Sequence, residues 1–124
     1  MKADSNHTCN AIVVTCIDFR LQKYLKSWTN NRLKNETYDY VGFAGGVKDL
    51  ETAMKQIDIS VSLHHINHVF LINHEDCGAY GKDGTKEKHI EDLHQAEKKI
   101  KETHPNLELD LYYLHLDGTF EHIH

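Results

Sequence analysis

The 124-residue chain predicts an α/β fold, a single domain with a mostly parallel β-sheet flanked by helices. Three observations lead there. Short, near-continuous apolar runs recur, most clearly Ala11-Ile12-Val13-Val14 and Val69-Phe70-Leu71-Ile72, as in strands buried on both faces. Segments with apolar residues at helical spacing lie between these runs. The strand–helix alternation then repeats along the chain, as right-handed crossovers within a parallel sheet require.

Each element has its own signal. Ala11 to Ile17 reads as the first strand. Leu21, Tyr24, Leu25, Trp28 and Arg32 follow at helical spacing, and the helix is expected to end near Asn30-Asn31. Thr37 to Phe43 reads as a second strand leading into Ala44-Gly45-Gly46, where the backbone can approach a neighbour or ligand closely. Asp49 is a good N-cap, with Leu50, Ala53, Met54, Ile57 and Val61 as the inward stripe of the next helix. His64, His65 and His68 fall where that helix pattern ends, a position at which His complements the dipole. After the Val69–Ile72 strand, Gly78, Gly81 and Gly84 mark a loop. Thr85 caps a helix running through Thr103, with Ile90, Leu93, Ala96 and Ile100 facing inward, and Pro105 stops it. Leu107 to Leu116 reads as a fourth strand, and Asp117-Gly118 turns the chain into a short tail.

Composition narrows the function classes. The net charge of −5, from 14 basic against 19 acidic residues, argues against a nucleic-acid partner, which needs a basic surface. Lys98-Lys99-Ile100-Lys101 reads as the solvated face of a mixed-charge helix. No apolar run is long enough to cross a membrane. Met1 to His7 has no hydrophobic signal core, so the cytoplasm is the expected compartment. Three cysteines in such a compartment point to metal ligation or free thiols rather than a disulfide framework.

The chemistry concentrates in Thr15-Cys16-Ile17-Asp18-Phe19-Arg20, where the first strand gives out, and in His74-Glu75-Asp76-Cys77, just after the third. Ligands of open α/β sheets are met at the carboxyl ends of strands. If the two strands are neighbours, Cys16, His74 and Cys77 meet there as two thiolates and an imidazole. That donor set suits a zinc site with one tetrahedral position left open. His74-x-x-Cys77 spans a single tight turn, so both side chains can reach one ion.

The combination C-x-D-x-R and H-x-x-C-G, here Cys16-Asp18-Arg20 and His74-Cys77-Gly78, resembles the β-class carbonic anhydrases. The resemblance runs from about Ala11 to Ile123 and covers nearly the whole chain, residues 1–124 being one such zinc domain. It implies Zn2+ held by Cys16, His74 and Cys77. It also implies reversible hydration of carbon dioxide to bicarbonate by a zinc-bound hydroxide, and a homodimer or higher homo-oligomer. Asp18 and Arg20 become a working pair: Arg20 holds the carboxylate off the metal, leaving Asp18 to orient the nucleophile by a hydrogen bond. A small pocket is assigned by position to Phe43, Ala44, Gly45 and Gly46, with Val41 beside it. Asp76 and Tyr80 are candidates for the proton shuttle, and Glu75 and Asp76 otherwise read as solvated loop charges. The chain departs from the family pattern in its shortness and in having Gly45-Gly46 where members carry Gly-Asn.

Other readings stay open. Cys16 alone would be an ordinary buried small hydrophobe. Asp18 and Arg20 alone could be a structural ion pair. A phosphatase loop would put its arginine six residues after the cysteine, whereas Arg20 is four after Cys16. No C-x-x-C is present for thiol redox chemistry, and Cys9 reads as an incidental thiol. The same scaffold could hydrolyse carbonyl sulfide or carbon disulfide, or serve as a non-catalytic zinc-binding interaction module.

Overall fold

The computed structural model describes residues 7–124. Met1 to Asn6, most of the stretch read for a signal core, lie outside the described residues. A five-stranded sheet runs in the order β2-β1-β3-β4-β5. Its strands are β1 (Ala11–Thr15), β2 (Tyr38–Gly42), β3 (His68–His74), β4 (Glu108–Leu114) and β5 (Phe120–Ile123). All pairings are parallel except β4 with β5. The helices are α1 (Gln22–Arg32), α2 (Leu50–His64) and α3 (Lys86–Thr103).

Alternation along β1 explains the three layers. Ile12 and Val14 face one side, where they join Ala53 and Ile57 of α2 and Leu93, Ala96 and Ile100 of α3. Ala11 and Val13 face the other, with Leu21, Leu25 and Leu33 around α1 and Phe70 and Ile72 of β3. Each of these side chains is at most 2% exposed, so both sheet faces are dry, as continuous apolar runs require. The predicted caps are present: Asp49 accepts from the Thr52 N–H and Thr85 from the Lys88 N–H.

Several boundaries move, each for a local reason. β1 stops at Thr15 because Gln22 Nε2 takes the Cys16 carbonyl at 3.3 Å and Asp18 caps a short 3-10 turn over Phe19–Leu21. α1 runs past Asn30-Asn31 to Arg32, its last turn closed by the Leu33 N–H on the Thr29 carbonyl while the Leu33 side chain anchors in the core. β3 begins at His68 and carries through His74, because all seven of its residues pair with β4, from His68 with Glu108 to His74 with Leu114. His68 is therefore not at a helix end; only His64 and His65 are, His65 as a left-handed C-cap with φ 55°. The expected tail is strand β5, folded back by Asp117-Gly118 with Gly118 at φ 94°. Asp-Gly between strand patterns is a strong hairpin signal, which here extends the sheet by an antiparallel edge.

β1 lies between β2 and β3, so the chain leaves it in one direction through α1 and returns past it through α2. That reversal opens a crevice beyond the carboxyl ends of β1 and β3. Cys16 follows one of those ends and His74 forms the other.

Candidate metal centre

Cys16, Cys77 and His74 are 5%, 4% and 1% exposed, and one ligand atom from each lies within 4.8 Å of the other two. The His74 Nδ1–H donates to the Glu75 carbonyl at 2.7 Å, since a carbonyl can only accept. That fixes the tautomer and leaves Nε2 as the free nitrogen, which is buried with no hydrogen-bond partner. Two sulfurs beside an orphaned imidazole nitrogen are an unfavourable arrangement without an ion and a fitting one for Zn2+.

The thiols are not equivalent. Burial pushes Cys16 up, but His74 and the backbone N–H groups of Gly45 and Asp18 outweigh it and bring the thiol down to about 7. Burial and the neighbouring Cys16 charge push Cys77 up. Only a cation shared by both would ionise the pair together at neutral pH. The Gly45 N–H reaches Cys16 Sγ at 3.4 Å, which brings the Gly45-Gly46 turn over the cluster. Gly46 has φ 53°, and a Cβ there would meet Asn73 Oδ1 at 2.8 Å. A second glycine at this point is therefore a steric demand of β3 beneath it.

Arg20 grips Asp18 through Nε to Oδ1 at 3.1 Å and Nη2 to Oδ2 at 2.7 Å, while the Arg20 backbone N–H caps Oδ1 at 2.8 Å. These hydrogen bonds hold the Asp18 carboxyl down at about 2. The same guanidinium bonds Asp76 Oδ2 at 3.1 Å and the Asp76 carbonyl at 2.9 Å. Arg20 thus ties the loop after β1 to the loop after β3.

The two loop acids are solvated and each is also bonded, Asp76 being 73% and Glu75 46% exposed at the side chain. Asp76 sits at φ 57° and pairs with Arg20, and Glu75 Oε1 accepts the Leu116 N–H at 2.9 Å. Of the pocket residues, Gly45 and Gly46 are buried against the cluster, Phe43 leans on the core and Ala44 is exposed. Val41 is partly buried against the same core.

A buried support passes unnoticed in the sequence. Asn73 takes the Val47 N–H on its carbonyl oxygen at 3.3 Å and donates through Nδ2 to Tyr80 Oη at 3.0 Å and His89 Nδ1 at 2.9 Å. Tyr80 Oη in turn donates to Asp92 Oδ2 at 2.8 Å, so its proton is already committed. Burial, with the charge of His74 added, pushes His89 down to about 4, so it stays neutral at ordinary pH. The one sequence signal is a His on the inward stripe of α3, where an aliphatic residue would be ordinary.

The fold and the cluster together define an α/β protein with a metal-binding crevice at the sheet's switch point. The sequence pattern of the family described as "Putative carbonic anhydrase" matches residues 6–124, and the chain belongs to that family. An uncharacterised protein of Rickettsia bellii is 30% identical over 134 residues, covering 93% of this chain and 82% of its own length. Among solved structures, β-carbonic anhydrase isoform I from Trichomonas vaginalis aligns at TM-score 0.70 with 18% identity, over 99% of this chain and 86% of that one. A carbonic anhydrase from Glaciozyma antarctica aligns at TM-score 0.67 with 19% identity, over 92% and 81% respectively. The fold is that of the β-carbonic anhydrases. Among the described residues no helix is long and apolar enough to cross a membrane.

Proposed function

We propose that this chain, acting as one domain over residues 1–124, catalyses the reversible hydration of carbon dioxide to bicarbonate with Zn2+ held by Cys16, His74 and Cys77. The observation that carries the reading is the meeting of three buried donors with a carboxylate already clamped by arginine. When bound, the ion would supply Lewis acidity that lowers the pKa of water and so makes it a competent nucleophile. The protein's own groups do the rest. Glu75 fixes the His74 ring through Nδ1, and the Gly45 N–H steadies the Cys16 sulfur. Asp18, ionised and restrained by Arg20, accepts a hydrogen bond from the attacking water and directs its lone pair to the carbon. Loss of a proton to solvent or buffer completes the turnover.

The reading extends to assembly and location. β2 is an edge strand; Tyr40 on it is 43% exposed, and Ile17, which reaches Gly42 at the end of β2, is 61% exposed. An unpaired edge next to uncovered apolar side chains supports a homodimer formed along β2. Free thiols at all three cysteines fit the reducing cytoplasm.

Stopped-flow carbon dioxide hydration on metal-quantified wild type and Asp18→Ala tests the proposal. Zinc-loaded wild type should hydrate carbon dioxide, and the variant should keep its zinc while losing most of the rate. A zinc-loaded protein inactive at alkaline pH would refute the activity. Turnover of carbonyl sulfide or carbon disulfide would then identify a sulfur hydrolase, and no turnover at all a zinc-binding interaction module.

A further inference from the structure

At the opposite end of β1 from the zinc ligands, Cys9, Asp39 and His64 present a sulfur, a carboxylate oxygen and an imidazole nitrogen, all within 4.8 Å of one another. Three separate elements bring them together. Cys9 lies just ahead of β1, with its N–H on the His64 carbonyl at 2.9 Å and its Sγ–H donating to the Ala11 carbonyl at 3.6 Å. Asp39 belongs to β2, in register with Ile12. His64 is the last residue of α2. Cys9 and Cys16 are seven positions apart, about 20 Å of extended chain, so this cluster cannot share an ion with the first.

We propose that Cys9, Asp39 and His64 form a second metal site, suited to a borderline divalent ion such as Zn2+ or Co2+. A thiolate, a carboxylate and a neutral imidazole balance the double charge, and the presence of sulfur and nitrogen excludes a preference for Mg2+ or Ca2+. Zinc ligands at about 2.0–2.3 Å from one centre sit roughly 3.5 Å from each other, so Asp39 and His64, now 2.7 Å apart, would open and the sulfur, within 4.8 Å of both, would close by shifts on the order of 1 Å. Ser60 Oγ donates to Asp39 Oδ2 at 2.6 Å, the kind of outer hydrogen bond that holds a ligating carboxylate in place. His64 Nδ1 now shares a proton with the same Oδ2 at 2.7 Å, and metal binding would replace that proton. The His7 ring stands edge-on to His64 with centroids 4.7 Å apart, bringing a further imidazole to the rim. A cavity of about 230 Å³ beside Asp39, Ser60 and His64 has room for the ion's water.

Co2+ alone is the probe. In the full chain carrying Cys16→Ala and Cys77→Ala, Cys9 is the only thiol left of three. Co2+ should bind with a thiolate-to-cobalt absorption band in the ultraviolet that disappears when Cys9→Ala is added. Ser60→Ala should weaken that binding about tenfold to a hundredfold. A folded double variant without the band would overturn the proposal, leaving the cluster a hydrogen-bonded latch. If the double variant does not fold, metal content after dialysis against Zn2+ decides. Cys9→Ala should then hold one equivalent fewer than wild type, and equal content would overturn the site.

Discussion

Asp18 carries the sharpest residue-scale consequences. Its carboxyl is held at about 2 by hydrogen bonds from Arg20, below the ordinary carboxylate value of about 3.9. A depressed pKa stabilises the folded state above the unfolded value, and that contribution is lost as pH falls from about 4 towards about 2. Asp18→Asn should therefore flatten this acid limb in denaturant titrations while lowering carbon dioxide hydration about tenfold to a hundredfold with zinc retained. Arg20→Ala should impair turnover too, because it frees Asp18 to compete for the metal and unties Asp76. Charge counting adds a pH profile. Two thiolates and a neutral imidazole cancel the ion's charge and so leave water less acidic than a three-His site does. Hydration should rise between about pH 6 and about pH 9, and a flat profile measured over that range would contradict the ligand set.

At the scale of elements, one packing point holds the sheet to a loop and a second ties three strands together. The Gly46 turn lies on Asn73 of β3, so Gly46→Ala meets both a left-handed φ and a contact at 2.8 Å. Its cost is on the order of 1–2 kcal/mol in urea unfolding, and metal affinity should fall with it because the neighbouring Gly45 N–H supports Cys16. The second point is Asp110 on β4, which bonds His68 Nε2 of β3 at 2.6 Å and His122 Nε2 of β5 at 2.9 Å. Burial works against its ionisation, yet the two imidazoles prevail and draw the carboxyl below its usual range. Stability from this bridge is present above about pH 4 and fades as acid protonates the carboxylate. Asp110→Leu should cost about 1–3 kcal/mol at neutral pH and little at pH near 2, measured by chemical denaturation.

For the whole molecule, the proposed metal site and the proposed pairing along β2 each carry a test. An ion bound only by the native state stabilises it in proportion to the logarithm of its concentration over the dissociation constant. Chelation should therefore lower Tm and abolish hydration together, and re-addition of Zn2+ should restore both. A chelated protein with unchanged Tm would show that the cluster holds no ion in solution. If the proposed pairing along the β2 edge is right, sedimentation velocity should show a dimer, and a monomer across the micromolar range would dismiss it.

What the amino-acid order determined by itself was local. The apolar runs of β1 and β3, the caps Asp49 and Thr85 and the stripe of α3 follow from the periods of strand and helix, which act over a few residues. The two motifs bearing Cys16, Asp18, Arg20, His74 and Cys77 were legible for the same reason, each being contiguous. Polar strand residues such as His68 and Asn73 were not, because their extended backbone is stabilised by pairing with β4, a partner about 40 residues away. The same holds for the link from Arg20 to Asp76, the Asn73–Tyr80–His89 support and the convergence of Cys9, Asp39 and His64. Only the tertiary structure decided these. Each joins groups 7 to 56 positions apart whose meeting depends on strand order and crossover rather than on any periodic pattern.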